Sequence, residues 1–578
     1  MKKRCLLIVL TLAATLAAAA AQQPTTNPSS PSATTAKPTP TPAPTPPAPR
    51  TMPPDQRAYM EATRIKDPQK KLEALEKWLD QYPESFMAST IHLDILDTII
   101  KLQPDQKEKI LAQADRAMQK AASGFASGNT ANNIATRLLR AGLLAEAEQY
   151  AQKAVVATDE YLAQMIKEFQ RQKARPLATL GQIYLKQDKL KEAEQKLKAA
   201  YVIHPQEPNV AVSLAEIAEK RGKDKEALDY LLAAGRLKAA ERQKMETLWR
   251  KTRGGSLNGL EEELDARYHK EFSGLVPVTR YQSTAKRSNR AVLAEVFTGA
   301  ACGPCVAADV GFEAMMERYS RQELIVVMYH QHIPGPDPMT NPATLSRFRF
   351  YGGGGVPSYT IDGQALQTGG GSKEMTRGFY QRVTPVIERR LEVAAEANLK
   401  LDAALEDGVV KVAAQVAFDK AALEKAAPPA KAEPQPAGEA KDAAKGDAKS
   451  DAPVYKLHVL LVEEMLRYSG ENGIRLHPVV VRAMGGVMAN GFVLDPAKAE
   501  AVTTRFDLAA ISDELKKYLE GFEASRSKDR DEPYTFSEKK SEINANNLSV
   551  VAFVQEEKSK KVLQAATIRL NGKGVAMK

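Results

Sequence analysis

The stretch "VLAEVFTGAACGPCV", residues 292–306, decides how this chain is read. A run of β-type residues from Val292 stops at Thr298-Gly299, two alanines follow, and Cys302 and Cys305 then flank Gly303-Pro304. A helical pattern resumes behind them in "VAADVGFEAMMERYS". Leu293 to Phe297 therefore reads as a buried strand, residues 298–301 as a turn, and Cys305 as the first turn of a helix. Cys302 is thereby placed at a helix N-terminus, where free N–H groups and the helix dipole favour a thiolate. Two intervening residues let the second sulfur come within bonding reach of the first.

The chain has three cysteines, and the third, Cys5, lies in a different context. Residues 1–21 begin with Lys2, Lys3 and Arg4, continue in an apolar stretch from Leu6 and end in Ala19-Ala20-Ala21. This is the layout of a secretory signal peptide, so Cys5 is expected to leave on processing and the mature chain to be exported to a periplasm or cell envelope. Its place ahead of the apolar stretch argues against a lipid-modified cysteine at the cleavage site. One intramolecular disulfide then remains possible, Cys302 with Cys305, in an oxidising compartment. A bridge closing so short a loop removes little chain entropy, which makes stability a poor reason for it.

Composition bounds the rest. With 578 residues, 43% hydrophobic and 26% charged, the chain has room for several ordinary globular domains. No second apolar run approaches the roughly 20 residues that span a bilayer, so no transmembrane segment is expected in the mature chain. The net charge of +10 falls to +7 without the three charges of Lys2, Lys3 and Arg4. Basic and acidic residues are interleaved along most segments, which argues against nucleic acid as a partner. Residues 22–54, with "KPTPTPAPTPPAP", read as a Pro/Thr-rich disordered tether. Residues 425–453 read as a disordered insertion in a β-rich region.

Between tether and cysteines lies a helical arm, residues 55–270. In "LATLGQIYLKQDKLKEAEQKLKAAYVIHP", Leu177, Leu180, Gly181, Tyr184, Ala193, Ala200 and Pro205 fall at the spacing of a 34-residue helical repeat, and Ala215, Ala227 and Ala234 repeat the small positions. An earlier copy shows in Ala135, Leu138, Ala147 and Ala154 at a longer offset, which calls for a longer intervening helix. The segment "QKKLEALEKWLDQYPES" has similar spacing. Small residues there let antiparallel helices approach closely, and the arm resembles the α-solenoids of tetratricopeptide proteins. Repeats stack whether or not their concave face is used, so the arm is either a groove for a protein client or a spacer.

Downstream of the cysteines, "YGGGGVPSYTIDG" (351–363) sets Val356-Pro357 before a short strand and an Asp362-Gly363 hairpin turn. The strand-like "ELIVVMYHQHI" and helix-like "EMTRGFYQRVTPVIERRLEV" complete an α/β unit over 285–395. Here the chain resembles the thioredoxin superfamily, and its Cys-Gly-Pro-Cys tetrad matches the thioredoxin motif. "EVFTGAACGPC" is closer to an exported, outer-membrane-related thioredoxin-like group, whose later β-rich segment resembles "LHVLLVEE" and "LSVVAFVQEEKSKKVLQAATIRL". The resemblance implies catalytic Cys302 and Cys305, a motif loop of Gly303 and Pro304, a cis bond at Val356-Pro357, and substrate positioning by these two residues. It implies neither a cofactor nor a metal. Thioredoxins usually carry Trp before the first cysteine and a buried Asp six residues before it, positions held here by Ala301 and Val296, with Glu295 expected on the opposite strand face.

Any Cys-x-x-Cys can be half of a zinc site, and His330 and His332 alternate onto one strand face nearby. Proline inside the pair, ahead of such a helix, and the Val-Pro strand argue against zinc. His458 and His477, in apolar stretches, read as structural. Residues 396–578, with an Asp407-Gly408 turn and several short alternating runs, read as a β-sandwich that docks or stabilises. The sequence thus describes a multidomain exported protein: α-solenoid, α/β thioredoxin-like unit and β-sandwich. Its expected activity is thiol-disulfide oxidoreductase, acting on protein thiols or disulfides. The competing reading is a cell-envelope scaffold that keeps a thioredoxin-like fold and works through its arm.

Overall fold

The computed structural model describes residues 52–163, 172–204, 208–234, 237, 239–421, 423, 453–486, 490–530 and 533–570. The expected signal peptide, all but the end of the tether, and nearly all of the insertion lie outside them. The chain divides into two units between Arg64 and Ile65. The first holds helix α1 (Pro54–Thr63), entered through a proline in its first turn.

The second unit opens with a helical solenoid. Its helices are α2 (Pro68–Gln81), α3 (Ala88–Leu102), α4 (Lys107–Gln119), α5 (Phe125–Arg140), α6 (Leu144–Leu162) and α7 (Ala174–Lys186), followed by α8 (Leu190–Ile203), α9 (Pro208–Lys220), α10 (Asp224–Ala233), α11 (Ala239–Thr252) and α12 (Leu260–Phe272). Asp67 caps α2 by accepting from Lys70 N–H, with Pro68 behind it. The small residues sit at the helix crossings: Ala135, Ala147, Ala154, Ala193, Ala200, Ala215 and Ala227 are all fully buried. Gly181 on α7 lies so near α8 that a Cβ there would stand 2.6 Å from Leu197 Cγ. The longer helix that the offset required is α6, with 19 residues.

Next come β1 (Val292–Thr298), α13 (Cys305–Arg318), β2 (Leu324–His330), α14 (Pro342–Phe350), β3 (Ser358–Ile361), β4 (Gln367–Thr368) and α15 (Thr376–Leu391). β1 and β2 pair in parallel from Val292↔Leu324 to Thr298↔His330, so the crossover through α13 returns to the same end of the sheet. β3 pairs antiparallel to β1, and β4 to β3. Both faces of β1 are buried. Val292, Ala294 and Val296 pack with Phe312 and Met315 of α13 and Phe379, Val383 and Ile387 of α15, while Leu293 and Phe297 pack with Phe348 of α14.

The strands that follow are β5 (Ala397–Glu406), β6 (Val409–Phe418), β7 (Tyr455–Arg467), β8 (Leu476–Met484), β9 (Phe492–Leu494), β10 (Glu500–Asp507), β11 (Leu548–Glu556) and β12 (Val562–Leu570), with helix α16 (Leu508–Arg530) after β10. The expected hairpins form: Asp407 and Gly408 turn β5 into β6 with positive φ, and β11 pairs β12. The expected separate sandwich does not. β7, β8, β11 and β12 continue the sheet of the cysteine region, in the order β12-β11-β7-β8-β2-β1-β3-β4, through the parallel pair Met328↔Val480. Leu460, Val462, Val551 and Phe553 share a core with Leu293, Phe297 and Val327, while the three-stranded sheet β10-β6-β5 covers the other face of β7 and β11. The cause is burial: β7 and β11 are apolar on both faces and need a layer on each. No described helix is long and apolar enough to cross a membrane.

Candidate functional site

The strand-turn-helix read from the sequence is present. β1 ends at Thr298, Cys302 N–H donates to Gly299 O (2.9 Å), Cys305 N–H donates to Cys302 O (3.1 Å), and α13 begins at Cys305. The two sulfurs are bonded, with 5.3 Å between the Cα atoms. The Val356-Pro357 peptide is cis, and the Val356 carbonyl oxygen lies 3.7 Å from Cys302 Sγ. Cys302, Cys305, Gly303, Pro304, Val356 and Pro357 therefore converge on one place. Cys302 is only 2% exposed and Cys305 is fully buried.

The sequence reading overlooked "TGGG", residues 368–371. Gly371 N–H donates to Pro304 O (2.7 Å) and Ala307 N–H to Gly371 O (3.1 Å), which stitches this segment across the motif loop. A Cβ on Gly370 would lie 2.1 Å from Pro304 O and 2.6 Å from Pro357 Cγ, so only glycine fits between the two prolines. A run of glycines after a hairpin strand was the available signal.

Behind the bridge lies a buried polar group that the sequence reading also missed. Asp309 stands one turn along α13 from Cys305, accepts from Thr298 Oγ1 (2.8 Å), and leaves its other oxygen buried without a partner. Burial pushes its carboxyl up to about 7, against smaller opposing effects of the Thr298 hydroxyl and His330. A carboxyl four residues after the second cysteine, at i,i+4 on one helix, was the signal. Next to it, Asp337 Oδ2 accepts from Ala300 N–H (2.7 Å) and lies 2.8 Å from His330 Nδ1. Burial would raise the Asp337 carboxyl, but His330 and the amides of Ala300 and Met339 outweigh it and hold it below the usual carboxylate value. Asp337 thus anchors the loop ahead of Cys302.

The histidines are turned to separate partners. His330 faces Asp337 and stands 5.0 Å, ring to ring, from His477. His332 Nδ1 accepts from Asp337 N–H, its Nε2 lies 3.0 Å from Tyr518 Oη, and its ring stacks on Phe522; burial lowers it to about 4. His477 Nε2 bonds Tyr468 O, and His458 lies against Glu557. Among the described residues no three His, Cys, Asp or Glu side chains are grouped to hold a metal ion. Glu295 points, as expected, to the face opposite α13. There Arg347 donates to both its oxygens (2.6 and 2.9 Å) and Tyr329 and Tyr351 donate as well.

No protein-family model matches the chain, and no curated protein matches it. Among solved structures, HBP35 of Porphyromonas gingivalis is similar at 13% identity and a TM-score of 0.31, over 50% of this chain and 79% of that one. PilW, a widely conserved type IV pilus biogenesis factor, is 21% identical with a TM-score of 0.28, over 38% of this chain and 92% of that one. A tetratricopeptide repeat protein from Parabacteroides merdae is 12% identical with a TM-score of 0.26, over 39% and 81%. None of these likenesses extends to a whole fold.

Proposed function

We propose that the protein is an exported thiol-disulfide oxidoreductase with a thioredoxin-like centre, whose helical arm offers a surface to a protein client. The observation that carries this reading is the bonded pair Cys302–Cys305 at the N-terminus of α13, with the Val356 carbonyl 3.7 Å from the Cys302 sulfur. The order β4-β3-β1-β2 with α13 and α15 on one face supports the thioredoxin-like part. The signal-type segment, residues 1–21, supports an oxidising compartment.

A client thiolate attacks Cys302 Sγ; the Cys302–Cys305 bond breaks, its electron pair goes to Cys305, and a client–Cys302 mixed disulfide forms. Asp309, raised by burial to about 7 and so protonated in about half of the molecules at neutral pH, is the nearest buried acid along α13 from Cys305 and protonates the leaving thiolate. A second client thiolate then attacks the client sulfur and releases Cys302 as a thiolate favoured by the helix N-terminus. The client dithiol loses two electrons, which the protein gains; its two protons go to solvent as its thiolates form, Cys305 carries the proton given by Asp309, and Asp309 and Cys302 recover protons from solvent. In reverse, Cys302 attacks a client disulfide and Cys305 resolves it, with Asp309 as proton acceptor.

The test is trapping. Cys305→Ser removes the resolving thiol and should accumulate covalent adducts through Cys302, whereas Cys302→Ser should accumulate few, as read on non-reducing gels of the exported protein. Equal or absent trapping removes the oxidoreductase reading. The second reading, a scaffold working through its arm, is favoured by the near-complete burial of both cysteines, and it predicts that absence.

A further inference from the structure

A hairpin turn from the C-terminal strands packs on the backbone of the disulfide loop. Between β7 and β8 the chain makes a turn, residues 468–475, closed by Tyr468 N–H to Arg475 O (2.9 Å) and Gly470 N–H to Ile474 O (2.8 Å). Its tip lies on the motif loop. Asn472 N–H donates to Ala300 O (3.1 Å), and its side-chain amide donates to Gly299 O (3.4 Å) and Cys302 O (3.3 Å). Its Oδ1 accepts from Ile474 N–H (3.0 Å), which fixes the amide in this orientation. The approach is close enough that a Cβ on Gly470 would sit 2.6 Å from Ala300 O.

The base of this turn is held by the last helix of the arm. Asp265 of α12 accepts from Arg475 Nε and from Arg467 Nε, each at 2.7 Å, and Glu261 pairs with Arg475 Nη2. Tyr268 and Phe272 of α12 share an apolar cluster with Ile474 and Leu476 of the hairpin and Val306 and Val310 of α13. Arm, hairpin and cysteine loop are thus in one chain of contacts.

We propose that residues 468–475 form a cap over the disulfide loop, latched by Glu261 and Asp265 of α12, and that release of the latch uncovers Cys302. This regulation rests on the redox reading for its purpose, but the cap is a property of the fold and can be measured without any client. The acidic latch and the Asn472 contacts are polar, and the buried apolar residues that the hairpin shares with α12 are Ile474 and Leu476, at its end. The polar contacts can open without unfolding the sheet, in the manner of a low-stability segment on a stable frame.

The measurement is the rate at which a water-soluble phosphine, itself converted to the phosphine oxide, reduces Cys302–Cys305 in the oxidised full chain near pH 7. Asn472→Ala and Asp265→Asn should each accelerate reduction on the order of tenfold, while Lys411→Ala, which removes the exposed Lys411–Glu406 pair far from the site, should not. Parent-like rates in both variants overturn the cap. So does a parent reduced as fast as an oxidised Cys-Gly-Pro-Cys peptide. Should a variant fail to melt cooperatively, the parent alone decides. Its reduction rate should rise with denaturant below the global unfolding transition; a rate that is flat there, or that follows only global unfolding, overturns the proposal. Failure of Cys305→Ser to trap clients would leave these rates unchanged, so the two readings fail separately.

Discussion

Asp309 shows how one side chain sets opposing demands. Its carboxyl titrates near 7 in the folded protein and near 4 in an unfolded chain. Below about pH 4 both states hold the proton, and Asp309 contributes nothing to the difference. As pH rises from about 4 to about 7 the unfolded chain releases its proton while the folded one keeps it, so stability is lost across that window and the loss is complete above it. Asp309→Asn, uncharged throughout, should therefore be near neutral at pH 4 and progressively stabilising to pH 8, by at most about 4 kcal/mol. Denaturant unfolding of the oxidised protein at the two pH values checks this, and a difference independent of pH would contradict it. The same variant should slow disulfide exchange. None of this is visible at Val296, the position where the thioredoxin pattern places its acid; the i,i+4 spacing from Cys305 puts Asp309 on the same helix face, and the fold adds that it is buried there.

At the scale of the element, β1 is set by its two faces. Alternation put Glu295 opposite α13, and there it meets Arg347 on α14. α14 is fixed in place by a capping box, Asn341 with Thr344, and by Pro342 in its first turn. Burial raises the Glu295 carboxyl, but Arg347 and the two tyrosine hydroxyls outweigh it and keep it ionised. Glu295→Gln would leave the buried guanidinium without its counter-charge and should destabilise the protein by about 3–5 kcal/mol, read as a lower midpoint in thermal or denaturant unfolding. The helical arm was legible at this scale for a related reason. Gly181 and the buried alanines lie where backbones cross, and small residues at fixed spacing are a signal that survives without the structure.

Across the whole molecule, the boundary between arm and body is where sequence and structure part. The arm was read as ending at about residue 270, yet Tyr268 and Phe272 cover Val306, Val310, Ile474 and Leu476, and Asp265 holds Arg467 and Arg475. A chain begun at residue 277 should bind more of an apolar surface dye and melt roughly 5 °C or more below a chain begun at residue 257, which keeps α12, since about 2–4 °C correspond to 1 kcal/mol in a body of this size. Equal melting would make the arm a free appendage. The C-terminal strands follow the same logic: short apolar runs predicted a sandwich, but β8 found its neighbour in β2, far back in the chain.

The sequence alone determined what is local. The Cys302–Cys305 turn, the helix behind it, the Val356-Pro357 strand, the repeat spacing and the Asp407-Gly408 hairpin depend on residues near each other in the chain, where backbone geometry and side-chain period leave few choices. Only the tertiary structure decided what is distant: that Asp309 and Asp337 lie behind the cysteine loop, that β7 and β8 extend the sheet of β1 and β2, and that Asn472 rests on the carbonyls of Gly299 and Cys302. Burial on both faces specifies that a strand must be covered, but an apolar side chain carries no address for the layer that covers it. A polar side chain such as Asn472 acquires its meaning only from the carbonyls that packing brings within its reach.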